Sequence, residues 1–157
     1  MYLNSDVIIA VGSFFEHNNA ELLSVNGNKW TDIDDYPFSS DIVHSPVVHL
    51  SGSFYFFGGY ALTKSYQSTI GRFDMTTQKW SRAGNLVTAR SGHSVIFDGQ
   101  FLLVVGGDPG KSEAIKTEKC SISNGQWACN SQTPELTKYS DYPEMFLIPA
   151  GFCKEMP

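Results

Sequence analysis

Charge is scarce in this chain: 17% of its 157 residues are Asp, Glu, Lys or Arg, and the net charge is −5. Lys and Arg form no cluster, which argues against a phosphate-backbone partner such as nucleic acid. No apolar run approaches the ~20 residues that a membrane-spanning helix needs. Met1 to Asp6 contain no basic region, and Asp6 interrupts the apolar stretch, so no secretory signal is visible. No Asn-X-Ser/Thr acceptor occurs, which counts against an extracellular address. The chain also lacks a Gly-X-Ser-X-Gly elbow, a Ser-His-Asp order and a Cys-X-X-Cys pair, so no nucleophile or redox motif points to catalysis. Cysteine is sparse: Cys120, Cys129 and Cys153 leave one thiol unpaired in any internal scheme.

What is present is a hydrophobic and aromatic chain punctuated by turns. Hydrophobic residues make up 41% and aromatics 13%, with 14 glycines and 7 prolines between β-prone runs. A hydrophobic strand closed by a diglycine, with a tryptophan about twenty residues later, recurs. The copies are Phe54–Phe57 with Gly58-Gly59 and Trp80, and Phe101–Val105 with Gly106-Gly107 and Trp127. A degraded first copy runs Val7–Val11, Gly12-Ser13 and Trp30. Successive glycines Gly12, Gly58 and Gly106 are 46 and 48 residues apart. A period of this length built from strands and turns predicts four antiparallel strands per copy and an all-β propeller. In the third copy Ser94–Phe97, Phe101–Val105, a strand around Lys119–Ile122 and one containing Trp127 follow in order. Asp98-Gly99 and Asn124-Gly125 supply tight turns.

These landmarks resemble the Kelch repeat. Arg90-Ser-Gly-His93, Asp98-Gly99, Gly106-Gly107 and Phe73-Asp74 followed by Trp80 carry its pattern over nearly the whole chain. The resemblance implies a Kelch-type β-propeller segment of about three four-stranded blades in an incomplete ring. Its parts would be a blade remnant at 1–39, blades at 40–87 and 88–138, and the first strand of a further blade at 139–152. The chain reads as starting inside a strand at Met1–Leu3 and stopping after one near Met145–Ile148, which leaves open apolar blade faces for self-association. Cys120 stands seven residues before Trp127, where Phe73 precedes Trp80, so something other than an aromatic must hold that corner.

Several motifs have plainer readings than their chemistry suggests. Gly106 to Ser112 looks like a phosphate loop, but position 105 is Val where that motif needs glycine, and β structure follows it. Asp32, Asp34, Asp35 and Asp41 lack calcium-loop spacing because Tyr36-Pro37 interrupts them. His44 and His49 are an odd number of residues apart, so an extended chain sends them to opposite faces. His93 reads as a hydrogen-bonding structural residue. The sharpest local feature is the pair Cys120 and Cys129. A two-residue turn at Asn124-Gly125 makes 123/126, 122/127, 121/128 and 120/129 facing pairs, and the last is non-hydrogen-bonded. Its Cα atoms approach to about 4.5 Å, within reach of a disulfide.

The expected function is therefore a non-enzymatic binding module with no catalytic residue, metal or cofactor, and with a protein partner met by loops. Tyr60, Lys64, Tyr66, Arg90, Asp108 and Lys111 are the candidate loop residues. Two other readings of the resemblance are a galactose oxidase-like copper enzyme and an intracellular Kelch substrate adaptor. The facing cysteines favour an oxidising, extracellular compartment over the cytosol.

Overall fold

In the computed structural model residues 7–11, 19–24, 26–38, 42–61, 63–110, 117–132 and 143 are described. The expected strands at Met1–Leu3 and Met145–Ile148, and with them Gly12, Lys111 and Cys153, lie outside these residues. The described residues are all-β and contain no helix. Strands β1 (Val7–Val11), β2 (Ala20–Ser24) and β3 (Lys29–Ile33) form a three-stranded antiparallel sheet. Strands β4 (Ile42–Val43) and β5 (Val47–Leu50) lie end to end along β6 (Ser53–Ala61), which pairs with β7 (Ser65–Asp74) and then β8 (Lys79–Asn85). A second meander follows: β9 (Ser94–Phe97), β10 (Leu102–Val105), β11 (Thr117–Ser123) and β12 (Gln126–Gln132).

The two meanders are not separate sheets. β8 and β12 join in parallel through Trp127 opposite Gly84 and Ala128 opposite Asn85, so β4 to β12 form one nine-stranded sheet. Gly84 permits this approach. Its φ is +141°, and a Cβ there would lie 2.4 Å from the Trp127 carbonyl oxygen.

Two other elements depart from the sequence reading. The diglycine Gly58-Gly59 does not end its strand: β6 continues to Ala61 with a bulge between Phe57 and Gly59. The bulge lets the far end of β6 pair with β4, a two-residue strand that the residue pattern does not announce. The Asp98-Gly99 turn is also longer than a two-residue hairpin, since Phe97 faces Leu102. Asp98 closes it by accepting from the amides of Gln100 and Phe101 at 2.8 and 2.7 Å. Those bonds hold its carboxyl below the usual range.

Alternation along the strands divides the interior in two. One core joins the meanders: Tyr55, Phe57, Ile70 and Ala83 from the first meet Leu102, Val104, Cys120 and Trp127 from the second. The other lies between β1–β3 and the opposite face of β5–β8, where Tyr36, Ile42 and Phe56 pack with Ile9, Val11, Phe54 and Trp80. Tyr36 sits at its centre, with ring centroids 5.2 Å from Trp80 and 5.4 Å from Phe38, both edge-on. Burial holds its phenol well above the ordinary pKa.

The three tryptophans occupy different environments. Trp127 is buried and ringed by Phe57, Tyr55 and Phe97 at 5.6, 5.7 and 6.3 Å. Trp80 is half-buried and donates its Nε1–H to the Asp34 carbonyl at 2.6 Å. Trp30 is 44% exposed. Turn length explains why Cys120 does not stand where Phe73 does. Four residues separate Asp74 from its partner Lys79, so Phe73 faces Trp80; two separate Ser123 from Gln126, so Trp127 faces Ile122 and Cys120 faces Cys129. Cys120 and Cys129 form a disulfide with an S–S distance of 2.03 Å and a Cα–Cα distance of 4.0 Å.

Burial predicts an order of cost. In urea melts of dilute protein, Trp127→Ala should lose about 3–5 kcal/mol and Trp30→Ala less than about 1 kcal/mol. Equal losses at the two sites would contradict the packing described.

Candidate functional site

The segment that links the two meanders, Leu86–Gly92, is tied to its surroundings almost residue by residue. Leu86 and Arg90 donate their backbone N–H groups to Ser68 and Gln67 carbonyls at 2.8 and 3.1 Å. Gly59 donates to the Arg90 carbonyl at 2.8 Å, and Gly92 to that of His44 at 3.1 Å. Ser91 and Asp108 exchange two backbone bonds of 3.0 and 2.8 Å. Gly58, with φ +54°, lies against this segment, and a Cβ there would fall 2.8 Å from the Arg90 carbonyl oxygen.

Beneath the linker lies an ion pair from which water is excluded. Arg90 and Glu118 are both 0% exposed, and Arg90 Nη2 donates to Glu118 Oε1 at 2.8 Å. Nη1 donates to the Gly106 carbonyl at 3.2 Å. The Glu118 carboxylate also accepts the N–H groups of Val87 and Thr88 at 2.7 and 2.9 Å. Burial lowers the guanidinium pKa while the Glu118 carboxylate beside it opposes the shift. Next to it His93 is 4% exposed, and neither ring nitrogen has a hydrogen-bond partner among the described residues, contrary to the role read from sequence. Burial, then the charge of Arg90, lowers its pKa to about 3.

Above this lock a small aromatic group forms one end of the sheets. Tyr60 and Tyr66 stand edge to face at 5.0 Å. The Tyr66 hydroxyl donates to Asp108 Oδ2 at 2.5 Å, and Asp108 Oδ1 accepts from Gly110 N at 2.6 Å. Lys64 occupies the adjoining β6–β7 turn with φ +64°. The structure thus brings Tyr60, Tyr66 and Asp108 together and places Lys64 beside them. Arg90 does not belong with them: it is wholly buried, and its assignment as a loop-binding residue is corrected to a structural one. Glu118, which sequence reading passed over, sits two residues from Cys120 on the same buried face of β11.

The cystine and the other two arginines are also engaged within the sheets. The Glu118 oxygen and the sulfurs of Cys120 and Cys129 lie within 4.8 Å of one another. The sulfurs are bonded to each other and the carboxylate to Arg90, so this trio is no metal centre. Arg72 pairs with Asp74 at 2.6 Å, and Arg82 donates to Asn85. With Arg90, these are all the arginines of the chain. An open cleft of ≈350 Å³ separates β1 from β4–β6; Ile9, Val11, Ile42, Val47 and Phe56 are among its lining, and His44 lies at its side.

No family model matches this chain. It is 28% identical over 123 residues to acyl-CoA-binding domain-containing protein 5 of Arabidopsis thaliana, a match covering 75% of this chain and 19% of that protein. It is likewise 28% identical over 118 residues to acyl-CoA-binding domain-containing protein 4 of the same plant, covering 71% and 17%. The chain thus spans about a fifth of the length of the curated relatives it matches. These findings overturn the Kelch resemblance, because the relatives are named for an acyl-CoA-binding domain and no family model supports a Kelch repeat. The readings that rested on it, a Kelch binding module, a galactose oxidase-like copper enzyme and a Kelch substrate adaptor, are withdrawn. The physical reason is plain: diglycines, hairpin turns and strand-borne tryptophans are what any repeated β-meander needs, so they report architecture and not ancestry.

Two outcomes follow from the lock. Arg90→Met should cost about 3–5 kcal/mol by stranding the Glu118 carboxylate, with partial recovery when Glu118→Gln is added. Denaturant melts of both variants measure this, and a loss below about 1 kcal/mol for the single variant would contradict the burial.

The second outcome concerns pH. Between its ordinary 6.5 and about 3, the His93 imidazole is protonated in the unfolded chain and neutral in the folded one. Its stabilising contribution is complete above pH 6.5 and is lost as pH falls, by about 2 kcal/mol at pH 5. His93→Asn should flatten the difference between melts at pH 7 and pH 5; an unchanged difference would show that His93 is not the group responsible.

Proposed function

We propose that this chain is a non-enzymatic, all-β accessory module of a protein of the acyl-CoA-binding domain-containing kind. In this reading the joined meanders are a scaffold that presents the Tyr60–Tyr66–Asp108 end and does not form the acyl-CoA pocket.

The observation that carries the proposal is the internal use of all three arginines and of the cystine. Arg90 and Glu118 fix the linker on the second meander, the cystine bridges β11 and β12, and Arg72 and Arg82 are engaged at their own strand ends. A coenzyme A ligand brings several phosphate charges, for which the bidentate fork of an arginine is the best partner, and each arginine here has a partner within the chain. The cleft beside β1 offers aliphatic side chains and His44, which suit neither the phosphates nor catalysis. The two relatives support the context, since both are named for an acyl-CoA-binding domain and extend far beyond the matched part.

Titration of the chain with palmitoyl-CoA, followed by tryptophan fluorescence and calorimetry, tests this assignment. No saturable binding is expected at ligand concentrations up to about 100 μM, a weak ceiling for a specific site. A saturable one-to-one isotherm would place the ligand site in this chain and overturn the proposal.

A further inference from the structure

At the other end of β6 from Tyr60, a cleft of ≈330 Å³ opens between the two meanders. Two hairpin turns border it, Ser51-Gly52 between β5 and β6 and Asn124-Gly125 between β11 and β12. All four turn residues have positive φ, +50° and +73° in the first and +51° and +74° in the second, as a two-residue turn requires. Tyr55 and Arg72 face each other across β6 and β7 and both line the cleft, together with Leu50 and Ile122. No acidic residue lines it.

Two polar groups reach this cleft without a partner. Tyr55 is 2% exposed, with its ring edge-on to Trp127 at 5.7 Å, yet its hydroxyl makes no hydrogen bond with any described residue. Arg72 is held from two sides: Nε donates to Ser53 Oγ at 3.0 Å and Nη2 to Asp74 Oδ2 at 2.6 Å. Asp74 is fixed in turn by the Thr76 and Thr77 amides, each at 2.9 Å. The third nitrogen of Arg72, Nη1, donates to no described residue. Gly125 leaves room in front of both groups, since a Cβ there would lie 3.2 Å from Nη1 and 3.9 Å from the Tyr55 hydroxyl.

We propose that this cleft binds a carboxylate on a short apolar stem, with Arg72 Nη1 and the Tyr55 hydroxyl as its donors and Leu50 and Ile122 against the stem. The buried hydroxyl calls for a hydrogen-bonding ligand, because a polar group shut away from water without a partner is costly and an acceptor removes that cost. Charge selects a monoanion. Asp74 faces Lys79 in the ladder and lies two residues from Arg72 on the same face, so two cations stand against one carboxylate. One carboxylate neutralises the remainder, and it takes the charge-assisted bonds that a guanidinium makes best. Size selects a small ligand, since this volume is near the lower bound of ordinary ligand clefts, about 300 Å³. A short organic acid or the C-terminal residue of a polypeptide has this chemistry.

Titration of the full chain, labelled with ¹⁵N and followed by NMR at the Ser51, Asn124 and Gly125 amides, tests this. The probes are butyrate and acetyl-Ala-Leu, the latter as free acid and as amide. At least one of the acids should shift these amides saturably with a dissociation constant in the millimolar range, and the peptide amide should bind at least about tenfold more weakly than its acid. Arg72→Gln and Tyr55→Phe should each weaken acid binding by about tenfold while leaving the rest of the spectrum in place. Butyrate binding at least as tightly as the peptide acid assigns the site to free organic acids, and a preference for the peptide acid assigns it to a polypeptide C-terminus. If Arg72→Gln does not fold, Tyr55→Phe, which keeps the packed ring, decides alone. The proposal is overturned by the absence of saturation for both acids below about 50 mM. Equal binding of peptide acid and amide, or a folded variant that binds as the wild type does, would also overturn it.

Discussion

The buried pair of Arg90 and Glu118 is the constraint on which the described structure turns. Removing two charges from water is costly, and Coulomb attraction offsets that only when the remaining donors and acceptors are also satisfied. Here they are: the guanidinium reaches Gly106, and the carboxylate takes two linker amides as well as the arginine. One ion pair therefore ties the linker, β10 and β11 at a single point. A hydrophobic contact could slide without much loss, but a charge-assisted network with fixed directions cannot. The pair specifies how the second meander sits on the first more than it adds net stability.

Around that point the packing divides its labour between aromatic rings and a covalent bridge. Trp127 draws on Tyr55 and Phe57 from the preceding meander and on Phe97 from its own. The corner further along the same hairpin is held by Cys120–Cys129. In the preceding meander Gly71 and Arg82 face each other at the cystine's place, with the Tyr36 ring seated against Gly71, and Phe73 packs on Trp80 with centroids 4.9 Å apart. The inter-sheet geometry is thus maintained by different side chains in successive units, which is possible because only volume and face must be preserved.

The all-β class and most strand positions could be read from residue order, because alternation and turn residues are local signals. The Asn124-Gly125 hairpin is the clearest instance: its two-residue loop dictates every facing pair out to Thr117 and Gln132. What could not be read depends on distant partners. Arg90 looks like a solvated loop residue until Glu118, 28 positions later, is folded beneath it. Strand β4 is two residues long and exists because a bulge at Gly58 extends β6 far enough to reach it. The aromatic end was legible as residues but not as a group, since the bond from Tyr66 to Asp108 spans 42 positions. Ancestry was least legible of all, because the landmarks of a repeated meander are shared by physics as readily as by descent.

The unequal turns have an implication for how such a sequence can change. Four residues link β7 to β8 and two link β11 to β12, a difference of two. The ladder position is nevertheless the same in both: Phe73 and Ile122 each sit one pair in from the turn, opposite Trp80 and Trp127. Residues added or removed within such a loop leave the strand partners and their faces unchanged, and hairpins accept loops of several lengths. The tips of these hairpins are therefore where this chain can lengthen or shorten without disturbing its core, whereas one residue gained within a strand would carry an apolar face into solvent.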